Sequence, residues 1–367
     1  MPLSASTSRS RILICHTEGP ANALFTETAR DNCTEPYRRL RQSWIDMGFS
    51  VEEVSESALE DCALLLFWDP SSIRRENSLR NVIRSIMRGP PPNWLQKARQ
   101  AGISDRVALI AFEPPAVCVG NADFTLYDEF PIVLTWNDAV IDGRHIVKYR
   151  LPVPERYPPP PMVPFAEKKL LVNISYNKYS NVPGELYSAR RDAIEYFERH
   201  HPGDFDLYGV GWLGTQESLH HSASRGKRHP SYRGTVENKW DVLPQYKFSL
   251  CYENSRDQSG CVTEKIFDCL RSDCMPVYWG APNISAYVDD DVFVDRRKFA
   301  SNEELANFIV SISEDEYDSW RVAVARYLAG ERFRLFLSSA FVSTVNEALG
   351  IAKRAAEASA TALAMSQ

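Results

Sequence analysis

The amino-acid sequence predicts an α/β protein built from two Rossmann-like domains, and three observations support this fold class. Short apolar runs alternate with amphipathic helical segments along the 367-residue chain, which is typical of parallel sheets covered by helices. Seven prolines fall within Leu151–Phe165 and divide the chain into two parts. The stretch Tyr246–Ala286 contains a strand pattern, a polar loop, a helix pattern and a second strand pattern, which together predict a βαβ unit.

The first predicted domain spans residues 1–150. Apolar runs bounded by turn residues predict its strands, and apolar positions at helical spacing predict its helices. The predicted strands are Arg11–His16, Phe49–Val54, Ala63–Trp68, Arg106–Phe112 and Pro131–Thr135, and the predicted helices are Pro36–Met47, Leu79–Met87 and Trp94–Ala101. The strand Arg106–Phe112 is strongly apolar and is followed by Glu113 and two prolines.

The proline-rich segment predicts a linker at residues 151–166. Proline removes a backbone donor and stiffens the chain, so a run of four prolines does not fit inside a sheet. Such runs also recruit proline-binding modules, but a spacer between two domains is the favoured interpretation.

The second predicted domain spans residues 167–345 and again alternates strands with helices. The predicted strands are Lys169–Ser175, Phe205–Tyr208, Phe248–Tyr252 and Met275–Trp279, and the predicted helices are Glu185–His200, Val262–Leu270, Asn302–Ser313 and Glu314–Ala329. Thr263 has the residue type that N-cap positions prefer. The last residues, 346–367, are rich in alanine and predict a helical tail.

Composition excludes several functional classes. A net charge of −6 without a basic block argues against a nucleic-acid partner. No run of about 18 apolar residues and no signal-peptide pattern is visible, so we expect no membrane insertion and a cytoplasmic location. The eight cysteines lack metal-ligand spacing and are expected to be reduced and structural. The three histidines of Ser218–Arg233 are expected to lie in a solvated loop.

The βαβ unit concentrates the residue types that suit an anionic sugar ligand. Asn254 and Ser255 follow the predicted strand at its carboxyl end, where open α/β sheets bind ligands. Lys265 places a positive charge in the first turn of the next helix, and helix N-termini favour anions. The carboxylate of Glu264 suits sugar hydroxyls better than phosphate. The alternative is that Glu264 complements the helix dipole and Lys265 is a solvated surface residue.

Three segments together resemble the donor-binding core of the α-1,3-fucosyltransferases, glycosyltransferase family 10. They are Tyr-Lys-Phe-x-Leu-Cys-Tyr-Glu-Asn-Ser at 246–255, Val-Thr-Glu-Lys-Ile at 262–266 and Met-Pro-Val-Tyr-Trp-Gly at 275–280. The resemblance implies a two-domain GT-B enzyme that transfers fucose from GDP-fucose to a sugar hydroxyl with inversion. It covers about residues 169–287 strongly and weakens toward Glu113.

The resemblance also implies roles for individual residues. Ala-Phe-Glu-Pro-Pro at 111–115 is similar to the family segment whose glutamate is the proposed base, so Glu113 is the candidate catalytic base. Arg190 matches the Ser-x-Arg pattern and, with its planar guanidinium, suits the departing diphosphate. Glu264 is expected near the fucose and is the second catalytic candidate. The predicted donor-binding set is Arg190, Tyr252, Asn254, Ser255, Thr263, Glu264 and Lys265.

Two further expectations follow. Many bacterial relatives have a tyrosine where this chain has Cys261, which leaves the identity of the donor sugar open. No Asp-x-Asp metal motif stands at a predicted donor strand, so we expect no required metal or other cofactor. The leading hypothesis is α-1,3 transfer of fucose to an N-acetylglucosamine-type sugar of a glycan. The alternatives are a different GDP-sugar donor, or a non-catalytic protein that binds a nucleotide or sugar.

Overall fold

The computed structural model describes residues 10–16, 24–26, 30–59, 61–69, 92–213 and 229–365. They form two compact units, one within Met1–Thr28, Thr34–Arg150 and Ser338–Gln367, the other within Ala29–Cys33 and Leu151–Leu337. The helix predicted at Leu79–Met87 lies outside the described residues, as do His220 and His221.

The first unit contains a parallel sheet whose strands follow the order β2-β1-β3-β4-β5-β6. Its elements are β1 (Arg11–His16), α1 (Glu35–Asp46), β2 (Ser50–Glu53), β3 (Cys62–Trp68), α2 (Trp94–Gln100), β4 (Val107–Ala111), β5 (Ile132–Thr135) and β6 (Ile146–Lys148). A parallel sheet is covered on both faces, which explains why the central strands β3 and β4 are apolar at nearly every position and buried along most of their length.

The C-terminal helices α8 (Ser338–Ala348) and α9 (Ile351–Met365) also belong to the first unit. The indole Nε1 of Trp44 on α1 donates a hydrogen bond to Oδ1 of Asn346 at 2.8 Å. A second anchor runs from Arg354 Nη1 to the carbonyl of Ala63 at 2.8 Å. This corrects the predicted division, which ended the second domain at residue 345 and treated 346–367 as a tail. Charge and helical propensity do not reveal which sheet a terminal helix packs on.

The second unit contains a parallel sheet with the strand order β11-β10-β9-β7-β8. Its strands are β7 (Lys169–Ile174), β8 (Phe205–Tyr208), β9 (Tyr246–Tyr252), β10 (Met275–Trp279) and β11 (Val294–Asp295). Its helices are α3 (Tyr187–His200), α4 (Glu264–Leu270), α5 (Asn302–Ser311), α6 (Glu314–Ala329) and α7 (Glu331–Arg334). One large apolar core, which includes Phe248, Phe267 and Trp320, joins the sheet to its helices.

The proline-rich segment is part of the second unit. Val153 donates its backbone N–H to the carbonyl of Phe336 at 2.8 Å, and the hydroxyl of Tyr157 donates to a carboxylate oxygen of Asp268. The guanidinium of Arg271 lies 4.3 Å from the centre of the Tyr157 ring. The segment is therefore packed against a domain, unlike the free spacer that its proline content predicts.

The α/β fold class and most of the predicted elements are confirmed. Each predicted strand within the described residues is present, with ends shifted by two residues or fewer. The short strands β6 and β11 were not predicted, because three and two residues are too few to form a recognisable pattern. Among the described residues, no helix is long and apolar enough to cross a membrane.

Candidate active site

The candidate site lies in the second unit, where the strand order reverses. From β7 the chain passes to β8 on one side of the sheet and then to β9 on the other. Open α/β sheets bind ligands at such a reversal, beyond the carboxyl ends of the strands. Strand β9 ends at Tyr252, so Glu253, Asn254 and Ser255 stand at this edge.

A buried carboxylate, Glu253, organises the edge. Its residue is only 1% exposed, and its oxygens accept hydrogen bonds from the Thr263 backbone N–H at 2.9 Å and from the Lys265 ammonium at 2.9 Å. The hydroxyl of Thr263 lies 2.9 and 2.8 Å from the two carboxylate oxygens. Glu253 was not among the predicted site residues; the available signal was a charged residue directly after a buried strand.

Lys265 is held against the strand end. Besides Glu253, its Nζ bonds the Thr263 hydroxyl oxygen at 3.0 Å, and its side chain is 27% exposed. Burial opposes the charged form, but the carboxylates of Glu253 and Glu264 outweigh it and raise the pKa of Lys265 above its ordinary value. Lys265 is therefore a fixed ammonium ion at neutral pH, and it is not a freely solvated surface residue.

Glu264 opens α4 and remains ionised. Burial acts to raise its pKa, but Lys265 and Lys239 prevail and lower the pKa of Glu264 to about 2. The Lys239 ammonium lies 3.6 Å from Glu264 Oε1, and the Glu264 side chain is 40% exposed. A partly exposed carboxylate of this kind can accept hydrogen bonds from ligand hydroxyls. Thr263 caps the helix as predicted, with its hydroxyl accepting from the Lys265 backbone N–H at 3.4 Å.

Arg190 stands on α3 beside the same strand end. Its Nη2 donates to the carbonyls of Tyr252 at 2.6 Å and Glu253 at 3.1 Å, and the residue is buried. Burial lowers the pKa of Arg190, which nonetheless remains charged at neutral pH. Arg190 and Lys265 line one small cavity of about 30 Å³. The structure thus brings the two predicted cations together, whereas Arg191 turns away to the carbonyl of Lys178.

The other predicted donor residues lie at the same edge with different exposure. Tyr252 is buried, its ring meets Trp279 edge-on at 5.6 Å, and burial raises the pKa of Tyr252 to about 12. Ser255 is also buried and pairs with Glu185 in an isolated antiparallel bridge. Asn254 is half-buried and accepts a hydrogen bond from Leu186 at its carbonyl. Their contact with a donor stays a prediction.

Glu113 lies in the first unit, directly after β4 and the half-buried Phe112. The side chain of Asp69, which follows β3, accepts hydrogen bonds at Oδ1 from the backbone N–H of Phe112 at 2.6 Å and of Glu113 at 3.1 Å. Asn121 joins the two, because its Nδ2 donates to Asp69 Oδ1 at 2.7 Å and to the Glu113 carbonyl at 2.6 Å. The backbone that carries Glu113 is therefore anchored on both sides.

A buried charged cluster beneath α4 was not predicted from the sequence. The ammonium of Lys239 lies 2.6 Å from Asp268 Oδ2 and 3.8 Å from Asp31 Oδ2. The Tyr157 hydroxyl donates to the other oxygen of Asp268. Burial alone would lower the pKa of Lys239, but Asp268, Glu264 and Asp31 raise it. These residues come from four separate segments, so no local pattern could have predicted the cluster.

Several sequence expectations can be compared with the structure. None of the eight cysteines, all of which lie among the described residues, forms a disulfide, and Cys261 is buried. His229 is also buried, with Nδ1 at 3.0 Å from Glu198 Oε2, so the solvated-loop expectation was wrong for this histidine. In the acidic run 289–291, Asp289 pairs with Arg332 and Asp291 with Arg326. No group of three potential metal ligands occurs within the described part of the chain.

The two parallel sheets define the class of protein. A crystal structure of alpha1,3-fucosyltransferase with GDP-fucose is similar to this chain with a TM-score of 0.54 at 13% identity, over 95% of this chain and 93% of the other. Two Rossmann-like units with this likeness are the GT-B fold of glycosyltransferases.

The family resemblance lies in the second unit. Residues 210–329 match the family described as Glycosyltransferase family 10 (fucosyltransferase) C-term. The alpha-(1,3)-fucosyltransferase FucT of Helicobacter pylori is 40% identical over 74 residues, which are 20% of this chain and 15% of the relative. An alpha-(1,4)-fucosyltransferase of Arabidopsis thaliana is 38% identical over 96 residues, 23% of this chain and 24% of the relative.

Proposed function

We propose that the protein is an inverting glycosyltransferase that moves L-fucose from GDP-fucose to a hydroxyl of a glycan acceptor. The acceptor we favour is an N-acetylglucosamine-type sugar with an α-1,3 linkage. The observation that supports this most directly is the arrangement of Arg190, Thr263, Glu264 and Lys265 at the carboxyl edge of β9, the last three within the residues that match glycosyltransferase family 10.

The chemistry assigns a role to each group. Departure of GDP leaves negative charge on the diphosphate, which Arg190 and Lys265 stabilise as positioned cations. The ionised, partly exposed Glu264 accepts hydrogen bonds from fucose hydroxyls. Glu113 takes the proton from the acceptor hydroxyl as that oxygen attacks the anomeric carbon. Attack on the face opposite the leaving group inverts the configuration there.

The test is to incubate the protein with GDP-fucose and an array of glycan acceptors, and to assign the anomeric configuration of the product. Glu113→Gln is expected to lower transfer by about 10²-fold or more while GDP binding persists, since general base catalysis contributes roughly that factor. Glu53→Gln, at an exposed carboxylate of the same unit, is the matched control. Normal transfer by Glu113→Gln would remove Glu113 from the mechanism.

A second candidate keeps the chemistry and changes the donor sugar. Cys261 is short and buried, so its thiol does not extend toward a nucleotide sugar in the way that a tyrosine side chain could. Hydrolysis and transfer assays with a panel of GDP- and UDP-sugars separate the donors. A non-catalytic binding protein would instead bind GDP without turnover, and Glu113→Gln would then change nothing.

We also propose that transfer needs no divalent metal, because Arg190 and Lys265 supply positive charge for the diphosphate. Activity that is retained in excess EDTA supports this. Activity that is lost in EDTA and restored by Mg²⁺ or Mn²⁺ refutes it.

A further inference from the structure

We propose that Glu253 is a positioning residue of the donor site, which fixes the Lys265 ammonium so that one of its N–H bonds remains for a bound diphosphate. This inference rests on the proposed function, because it assigns the anion that Lys265 meets. It adds a residue that acts through Lys265 and does not itself touch the donor.

The hydrogen bonds of Lys265 carry the argument. An ammonium group has three N–H donors on a flexible four-carbon chain, so it adopts a single position only when it is anchored. Within the described part of the chain, two acceptors bond Nζ: Glu253 Oε2 at 2.9 Å and the Thr263 hydroxyl at 3.0 Å. Two anchors fix the group and leave one N–H, and the side chain is 27% exposed.

Backbone hydrogen bonds and close packing hold Glu253 itself in place. Its backbone N–H donates to the Trp279 carbonyl at 2.8 Å, and its own carbonyl accepts from Arg190. Gly280 leaves room for the side chain, because a Cβ there would lie 2.4 Å from Glu253 Cγ. The carboxylate thus has one available position, between β9, the end of β10 and the start of α4.

The charge of Glu253 matters as well as its position. A buried carboxylate beside an anion site repels the anion, so its presence needs a compensating benefit. Here the benefit is that Glu253 is the largest influence that keeps Lys265 charged against its burial. Arg190 and Lys265 offset the carboxylates of Glu253 and Glu264, so the strand end offers a diphosphate positioned N–H donors and not a net positive charge.

Glu253→Gln separates charge from shape. Glutamine keeps a carbonyl oxygen that can accept from the Thr263 N–H, but it removes the negative partner of Lys265. Burial of Lys265 then prevails, and its pKa falls. A purely structural ion pair would also shift the titration of Lys265 and lower stability, but it would leave GDP affinity unchanged.

The first experiment needs no ligand. Acetylation of Lys265 by acetic anhydride is followed by peptide mass spectrometry from pH 7 to 9.5 in the full chain. A fall of one pKa unit gives about tenfold more free amine, so we expect about tenfold faster labelling in Glu253→Gln. Glu303→Gln, an exposed carboxylate on α5, is the control. Equal rates in all three proteins overturn the proposal.

The second experiment measures GDP binding by calorimetry over the same pH range. The ratio of the Kd of Glu253→Gln to that of the wild type is used, because titration of GDP itself cancels. After a one-unit fall Lys265 still stays protonated across this range, so the ratio is expected to be about ten at every pH, because the ammonium is less well anchored, and about one in a Lys265→Met background. A ratio of about one in both backgrounds overturns the proposal, whereas a wild type that does not bind GDP overturns the proposed function and leaves the labelling result to decide the role of Glu253.

Thr263→Val is the second variant, for the case in which Glu253→Gln does not fold. It removes one anchor and keeps the charge. We expect the labelling rate of Lys265 to stay within about twofold of the wild-type rate at each pH, while GDP affinity falls about fivefold because Nζ is less well placed. Unchanged affinity in a folded Thr263→Val protein overturns the anchoring argument.

Discussion

Replacing Asp69 by alanine should loosen the backbone that carries Glu113. One oxygen of this buried carboxylate accepts from the N–H groups of Phe112 and Glu113 and from the Asn121 amide. Alanine leaves these three donors without that acceptor. Asp69 also has a φ of 64°, in the left-handed region that asparagine and glycine tolerate better than alanine.

The magnitude follows from these two features. A buried donor left without an acceptor costs about 1–3 kcal/mol, and water entering beside the half-buried Glu113 reduces the sum for three donors to about 3 kcal/mol. The left-handed backbone adds about 1 kcal/mol for alanine. Asp69→Ala should therefore cost about 4 kcal/mol, and Asp69→Asn, which keeps an acceptor and suits the backbone, about 1 kcal/mol.

Hydrogen exchange of the peptide that spans residues 107–122 measures the effect locally. Local opening in Asp69→Ala should be about 10³-fold more frequent, and in Asp69→Asn about fivefold, at about 1.4 kcal/mol per factor of ten. Asp69→Gly lacks the carboxylate but removes the strain of the left-handed φ, so its frequency of local opening should lie between those of the other two variants. Transfer should drop about 10²-fold in Asp69→Ala, because misplacing a catalytic group by about 1 Å costs that much. If Asp69→Ala exchanges at the wild-type rate, the anchoring role is refuted.

Three further predictions concern the second unit. The folded-state pKa of Glu264 lies below its ordinary value of 4.5, at about 2, so its ion pairs stabilise the fold above pH 4.5 and are lost as the pH falls toward 2. The difference in the free energy of unfolding between wild type and Glu264→Gln, measured by urea unfolding, should therefore narrow from pH 6 to pH 3. A constant difference would contradict this. Lys239→Met should cost about 3–5 kcal/mol because it strands buried carboxylates, and adding Asp268→Asn should recover part of that loss in the same assay; no recovery would show that the pair is not coupled. Gly280→Ala should weaken GDP binding about tenfold, because its Cβ would lie 2.4 Å from the strand-end glutamate, whereas Gly203→Ala, with open space around it, should bind normally.

Local patterns predicted those parts of the fold whose causes are local. The predictions of strand Phe205–Tyr208 and of the N-cap Thr263 were both correct, because the causes of a short apolar strand and of a helix cap lie within a few residues along the chain. The meeting of Arg190 with Lys265 was also predictable, since parallel topology brings successive strand ends and helix starts to one edge.

Long-range pairing explains what the sequence could not predict. Glu253 looks like an ordinary loop carboxylate until β10 and α4 close around it. Lys239 meets Asp31 from more than 200 positions away, as the 208-residue separation of their hydrogen bond shows. His229 is polar and follows a basic stretch, yet it is buried against Glu198. Charged residues in such contacts carry no periodic signal, because each contact depends on the finished fold.

The return of α8 and α9 to the first unit has a consequence for biosynthesis. The second unit is a continuous insertion, Leu151–Leu337, apart from the short piece Ala29–Cys33, so most of its core is complete before the ribosome reaches the last helices. The first unit cannot complete its packing until Phe341 and Asn346 have been synthesised. Until then, the face of α1 that carries Tyr37 and Trp44 lacks its partners. A chain that stops early should therefore expose an aromatic, aggregation-prone surface on an incomplete first unit, although the second unit has already folded.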